Sequence, residues 1–272
     1  MDASRHPDAT AVRVETWADL QEELFAGSWQ PAIGRYRSTY AFRGMADIAW
    51  SLETSLSRLG GDFARLERHL IRNFRKYAYQ ESGEHASLWN LLALAQHHGL
   101  PTRLLDWTYS PYVALHFVTD DVERADSDGV IWCVDYTKTN RLLPASLLAS
   151  LGDEEADAFS TEMLDEVADT LAGFESLRPE PFLVFFEPPS LGPRIVNQFA
   201  LFSVLSSAAT QLDEWLAGRP DCYRRIIVPH ALKWEIRDKL DQANVNERVL
   251  FPGLDGLCRW LGRQYSPRPT GS

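Results

Sequence analysis

Long apolar runs, paired cysteines and an excess of positive charge are all missing from this 272-residue chain. No uninterrupted apolar segment approaches the ~20 residues that a membrane-spanning helix needs. The opening MDASRHPDAT is polar and has no apolar stretch of a secretory leader. A soluble, cytoplasmic protein with no membrane partner is expected. The three cysteines, Cys133, Cys222 and Cys258, lie far apart and form no CxxC, which excludes a disulfide framework and a cysteine zinc site; no metal is expected. Lys and Arg total 27 against 38 Asp and Glu, a net charge of -11. That balance disfavours a broad phosphate-tracking surface, so nucleic acid is not expected as a broad-surface partner, although a local basic pocket stays open. No Walker phosphate loop, GxSxG elbow, HExxH or GxGxxG occurs, which removes the commonest hydrolase and dehydrogenase readings.

What is present suits a globular chain with a full core: 45% of residues are hydrophobic and 24% charged. ETWADLQEELFAG at 15–27 sets Trp17, Leu20 and Leu24 at helical spacing and stops at a glycine. A longer helix runs from Asp62 to about Tyr79, and a third carries Leu88 to Leu94 and ends at Gly99, with Pro101 just beyond. SPYVALHFVTD starts another helix, with Ser110 as cap and proline at its first position. GVIWCVDY at 129–136 is a buried-strand pattern, and PFLVFFEPP, RIVNQFALFSVLS and CYRRIIVP supply three further strand candidates. ALKWEIRDKL and LDGLCRWLG close the chain as helices. The fold class is therefore α+β, with a mixed, mainly antiparallel sheet flanked by helices. One domain is expected over 11–265, carrying a helical acidic insertion at about 140–175, between disordered ends at 1–10 and 266–272.

Two stretches concentrate chemistry. RYRSTYAFRG alternates as one half-buried strand does, with Tyr36, Tyr40 and Phe42 on one face and Thr39, Ala41 and Arg43 on the other. Gly44 then lets something approach the backbone, or ends the strand in a turn. The second stretch, QHHGLPTRLLDWTYSPYVALHF at 96–117, is expected to be a proline-defined loop between two helices, the usual setting for a site. Gln96, His97, Thr102, Arg103, Trp107, Thr108 and Ser110 are its ligand-binding candidates, with Phe42 and Gly44. Each has a structural alternative. His97 and His98 are about 100° apart on a helix, so they share a metal poorly and suit a helix end. Arg103 and Asp106 fit an ion pair within the loop, Trp107 a buried wedge, and Thr102 and Ser110 caps.

Taken together, AFRG at 41–44, the 96–117 block, RIVNQFALFSV at 194–204 and LFPGLDGL at 250–257 resemble the FRG-domain family, named for its Phe-Arg-Gly motif. A more distant resemblance is to the arginine-serine-glutamate ADP-ribosyltransferases. Their core also opens with a strand ending in an aromatic-Arg-Gly step and continues through a serine segment into an "A..F" helix, here Ser110 with Ala114 and Phe117. That resemblance implies an ADP-ribosyltransferase-like fold, NAD as cofactor and Arg43 as the clamp on its pyrophosphate, a task suited to a planar, permanently charged fork. It also implies Tyr109 or Trp107 stacked on a ring and a protein acceptor as partner. The family's later glutamate is replaced by Gln198, which can hold a ribose but supplies no negative charge. Asp106, Glu187 and Glu247 stand open as substitutes, although ERVLFP at 247–252 lies after a helix.

Three readings follow. In the first, Arg43, Gln198 and Asp106 serve an NAD-dependent, ADP-ribosyltransferase-like enzyme. In the second, the same cleft makes a non-catalytic module that senses a nucleotide-like ligand or binds a protein. In the third, Arg43, Asp106 and Gln198 satisfy one another and leave no cleft.

Overall fold

The computed structural model describes residues 10–82 and 87–267. The ends expected to be disordered fall outside these residues, apart from Thr10, Ser266 and Pro267. Among the described residues nine strands occur: β1 (Ala11–Arg13), β2 (Trp29–Gln30), β3 (Arg35–Tyr36), β4 (Tyr40–Met45), β5 (Leu104–Thr108), β6 (Gly129–Asp135), β7 (Leu183–Phe186), β8 (Ala200–Leu205) and β9 (Tyr223–Val228). Seven form one sheet in the order β1-β9-β6-β4-β5-β8-β7, and β2 with β3 makes a separate hairpin. Only β1 and β9 run parallel; every other neighbouring pair in the sheet is antiparallel. The mixed, mainly antiparallel α+β arrangement is thus the one the sequence pattern predicts.

Side-chain alternation assigns the layers. Ala41, Trp132, Trp107, Leu201 and Phe185 belong to one apolar cluster, so a single layer lies along both halves of the sheet. The opposite face is covered in two parts. Phe42, Ile131 and Ile226 pack with Leu20, Ala114, Leu115 and Ile236 from helices Trp17–Phe25, Pro111–Thr119 and His230–Gln242. Leu104, Phe202 and Phe186 pack instead with helices Phe63–Tyr77, Leu88–His97, Ala145–Asp153 and Thr161–Val167 through Ile71, Trp89, Leu147 and Leu164. Strands β4 and β5 meet at the boundary between these two helical coverings.

Local chemistry sets the helix ends. Thr16 Oγ1 accepts from the Asp19 amide while Asp19 Oδ2 accepts from the Thr16 amide, a reciprocal cap that starts the first helix. Ser110 Oγ accepts from the Val113 amide, and Pro111 occupies the first helical position. Gly99, at φ +80°, ends the helix that precedes β5.

Three local expectations are corrected. Residues 35–44 are not one strand: Tyr36 sits in the β2–β3 hairpin, 60% exposed, and Ala41 is as buried as Phe42 because both faces of β4 are covered. The 101–110 stretch is not a loop; Leu104–Thr108 is a central strand, buried at every position except Asp106. RIVNQFALFSVLS is not a continuous strand either, because Pro193 starts a helical turn through Asn197 and β8 begins at Ala200. ERVLFP opens as a helical turn, Glu247–Leu250, capped by Asn246. The acidic 140–175 stretch is helical, with Leu147, Phe159, Leu164 and Phe174 buried in the core shared with β5, β7 and β8. Among the described residues, no helix is long and apolar enough to cross a membrane.

Asp128 ties the first strand to the last third of the chain. Its carboxylate accepts from Arg13 Nη1 at 2.7 Å and from the His230 amide at 2.8 Å. Burial works against the charge, but the Arg13 bond and the His230 amide and ring outweigh it and lower Asp128 from 3.8 to about 2. A carboxylate depressed on folding stabilises the protein above its unfolded value, and that contribution fades as pH falls through the folded value. The stability difference between the wild type and Asp128→Asn, from urea melts, should therefore be full at pH 7 and shrink between about pH 4 and pH 2. A difference constant over that window would show the pair to be energetically idle.

Candidate functional site

The sheet opens where β4 meets β5. Strand β4 pairs with β6 at six positions from Tyr40 to Met45, and β5 pairs with β8 at five. Between β4 and β5 only Phe42 and Thr108 are in register. Beyond that pair Arg43 crosses the gap, its Nη1 donating to the Asp106 carbonyl at 2.6 Å. The Arg43 side chain is half-buried, and its Nε is fully buried without a hydrogen-bond partner. Burial pushes its guanidinium below the ordinary arginine value, Arg58 adds to this, and Asp106 opposes it. An arginine in that position keeps its charge and makes no direct ion pair, a costly arrangement for a purely structural side chain.

Two adjoining cavities share Arg43, Gly44 and Phe117. The inner one, about 220 Å³, is completed by Asp106, Thr108, Arg194 and Gln198, among others. The outer one, about 630 Å³, adds Trp50, Glu53, Arg58, Asp120 and Asp121. Arg58 donates to the Glu53 carbonyl at 3.1 Å, and Arg194 lies 5.0 Å from the Phe251 ring centre. Among the described residues, Arg43, Arg58 and Arg194 make no ion pair. Three such arginines reach one cleft, but Glu53, Asp106, Asp120 and Asp121 line it as well, so its charge is mixed and the cations are local.

A relay of hydrogen bonds fixes Asp106. Thr102 Oγ1 donates to Gln96 Oε1 at 2.6 Å, which turns the Gln96 amide so that its Nε2 donates to Asp106 Oδ2 at 2.8 Å. The carboxylate stays exposed beside the cleft. His97, on the next residue of that helix, is held below the usual histidine range by burial, by His98 and by Arg194, against the pull of Asp106. Its imidazole is neutral at pH 7 and places no further cation there.

The other predicted residues separate into groups. Thr108 Oγ1 donates to the Gln198 carbonyl at 2.7 Å and accepts from the Ser110 amide at 3.0 Å, joining β5 to the helical turn before β8. Gln198 lines the inner cavity, yet its amide Nε2 donates to the Leu250 carbonyl at 3.0 Å. Ser110 is a cap, and Phe42 is 1% exposed in the core. Trp107 borders the inner cavity, but its indole is buried, with Nε1 donating to Ser203 Oγ at 2.8 Å and the ring against Phe185. Arg103 is withdrawn from the cleft: it does not pair with Asp106 but with Glu67 and Glu175. Tyr109 donates to Glu187 Oε1 at 2.9 Å, and burial with that carboxylate pushes its hydroxyl well above the usual tyrosine range. Glu247 is 3% exposed and bound to Arg263, so neither glutamate is free. Gly44 is open for a scaffold reason, because a Cβ there would sit 1.7 Å from the Ala114 carbonyl oxygen. Arg43, Asp106 and Gln198 thus do not form one closed set, and a cleft is present between them. Among the described residues, no three His, Cys, Asp or Glu side chains are grouped to hold a metal ion.

Both strands of the split, and the helix against them, fall inside one recognisable block. Residues 38–127 match the family model of the FRG domain. The FRG match contains Arg43, Gly44, Arg58, Gln96, Asp106 and Phe117, so it covers most of the cleft wall, while Arg194, Gln198 and Leu250 lie beyond it. No curated protein and no solved structure matches the chain.

Sequence reasoning missed Arg58, Arg194 and Trp50. Arg58 lies within the 3-10 turn Ser57–Leu59 and Arg194 within the unexpected helical turn Pro193–Asn197. Neither shows a periodicity that marks a site, and the proline before Arg194 was the one usable signal.

Proposed function

We propose that the cleft binds a nucleotide-like anion, with NAD as the candidate, and that Arg43 holds its phosphates. The observation that carries this reading is Arg43 itself: half-buried across the β4–β5 gap, without an ion pair, its Nε unpartnered. A phosphate oxygen would complete its donors with charge-assisted bonds. The second cation needed for a diphosphate is available in Arg58 or Arg194, and the two cavities suit a molecule with a group on either side of its phosphates.

The enzyme reading, ADP-ribosyltransferase-like, needs a carboxylate at the ribose. Asp106 is the carboxylate of the inner cavity, and its orientation through Thr102 and Gln96 supports that role. Nicotinamide would leave with the electrons of its glycosidic bond while Asp106 steadies the positive charge on the ribose, and a protein side chain or water would then attack. The non-catalytic module is favoured by one observation, the Gln198 amide being held by Leu250 where a glutamate would otherwise stand.

Calorimetry with NAD, and nicotinamide release with and without cell lysate as acceptor, test both. The wild type should bind NAD, and Arg43→Ala should weaken binding by about ten- to a hundred-fold with an unchanged melting temperature. Asp106→Asn should keep binding and lose release. Binding without release by the wild type would select the module. No NAD binding, or binding indifferent to Arg43, would end the nucleotide reading.

A further inference from the structure

A second cavity, of about 410 Å³, lies away from Arg43. Its floor is apolar, made by Ile71 and Leu88 with Leu171 and Ala172, and the two first-named residues belong to the main core, which makes the floor rigid. Its rim is basic. Arg68, Arg72 and Arg75 project from one face of helix Phe63–Tyr77, at spacings of four and three residues, and all three are exposed and line the cavity. Among the described residues, none of the three has an ion pair or hydrogen bond. The helix's one glutamate, Glu67, is buried against Arg103 and neutralises nothing on the rim. Asp169 and Glu175 also line the cavity, and Glu175 is engaged by Arg103 at 2.8 Å.

Like charges at these spacings destabilise a helix. A chain with 38 acidic residues would lower that cost by placing carboxylates between them. Among the described residues no carboxylate pairs with any of the three, although Asp169 and Glu175 line the same cavity, and the arginines surround an apolar hollow of small-molecule size. We infer that this cavity is a binding site for a small organic anion with an apolar body, an acyl-chain phosphate or carboxylate, whose chain lies on Ile71, Leu88 and Leu171 while its head meets Arg68, Arg72 and Arg75. Arginine forks match both head groups. The site is independent of the Arg43 cleft.

The test is titration calorimetry of the full chain with decyl phosphate and decanoate below their micelle concentrations, beside decanol and inorganic phosphate. One saturable site is expected for at least one of the two anionic amphiphiles, with decanol and inorganic phosphate each roughly ten-fold weaker or more. The better amphiphile identifies the head group. The triple variant Arg68→Gln, Arg72→Gln, Arg75→Gln should lose roughly ten-fold or more in affinity while melting no lower than the wild type, since it removes only exposed like charges. Ala64→Trp, at the cavity wall, should block binding with the rim arginines intact. Absence of saturable binding, an affinity unchanged in the triple variant, or equal binding of inorganic phosphate would overturn the inference. Arg43→Ala should leave this binding untouched, which keeps its outcome separate from that of the nucleotide reading.

Discussion

Glu67→Ala should destabilise the protein by about 3–5 kcal/mol, the range measured when one partner of a buried ion pair is removed. Arg103 is 4% exposed and Glu67 1%, so neither charge has water to fall back on. Arg103 Nε donates to both Glu67 oxygens at 2.9 Å, Nη2 donates to Glu67 and Glu175, and Nη1 to the Ser206 carbonyl at 3.1 Å. Burial alone would lower the Arg103 guanidinium; the contacts with Glu67 and Glu175 more than offset it and raise it. Without Glu67 the cation keeps only a half-exposed glutamate and one carbonyl. In a domain of this size the melting temperature should fall by about 6–20 °C. The apolar pair Arg103→Met with Glu67→Leu should recover most of that loss, since the charge and its desolvation cost leave together. A Glu67→Ala protein that melts with the wild type would show that water reaches Arg103. The pair lies at the start of β5, and Thr102, next to Arg103, directs Gln96 towards Asp106, so the scaffold and the cleft share one segment.

The second large effect is at Gly44. A Cβ there would meet the Ala114 carbonyl oxygen at 1.7 Å and its carbon at 2.7 Å. These are backbone atoms of helix Pro111–Thr119 and cannot rotate aside. Gly44→Ala must therefore push the helix off β4, at about 3 kcal/mol or more, the upper end of what overpacking costs. The same helix carries Phe117, which lines both cavities of the cleft, so any folded Gly44→Ala protein should also bind the proposed nucleotide more weakly. Gly34 has nothing within 4 Å of a built Cβ but adopts positive φ, and alanine there should cost only the strain of that conformation, about 1 kcal/mol. If Gly44→Ala melts no lower than Gly34→Ala, the helix does not sit as close as described.

These two results would separate the motif residues that look alike in sequence. Arg43 and Gly44 are adjacent and both line the cleft, but the arginine brings it a charge while the glycine is needed to seat a helix. Arg103 and Asp106 are three residues apart, and they lie in different environments: one closes a buried ion pair, the other is exposed beside Arg43. Trp107, next to Asp106, faces the opposite apolar layer because successive side chains of a strand alternate.

Much of the local structure was legible from the chain alone. The cap at Ser110, the stop at Gly99 and the buried run of β6 each depend on groups a few residues apart, so residue type and spacing were enough. The mixed, mainly antiparallel α+β class followed from strands scattered among helices. Which charge meets which was decided by tertiary structure. The carbonyl that accepts from Arg43 is 63 residues away, and Arg103 ignores Asp106 for Glu67, 36 residues upstream. Gln198 lies at the end of a helical turn, and its amide is claimed by Leu250, 52 residues on. Such partners are set by the order and register of the strands and by the helices packed over them, and a single sequence encodes that only through the whole fold. The gap between β4 and β5 is of the same kind. One register pair closes it at Phe42 and Thr108, and nothing in either strand's own sequence marks the place where pairing stops.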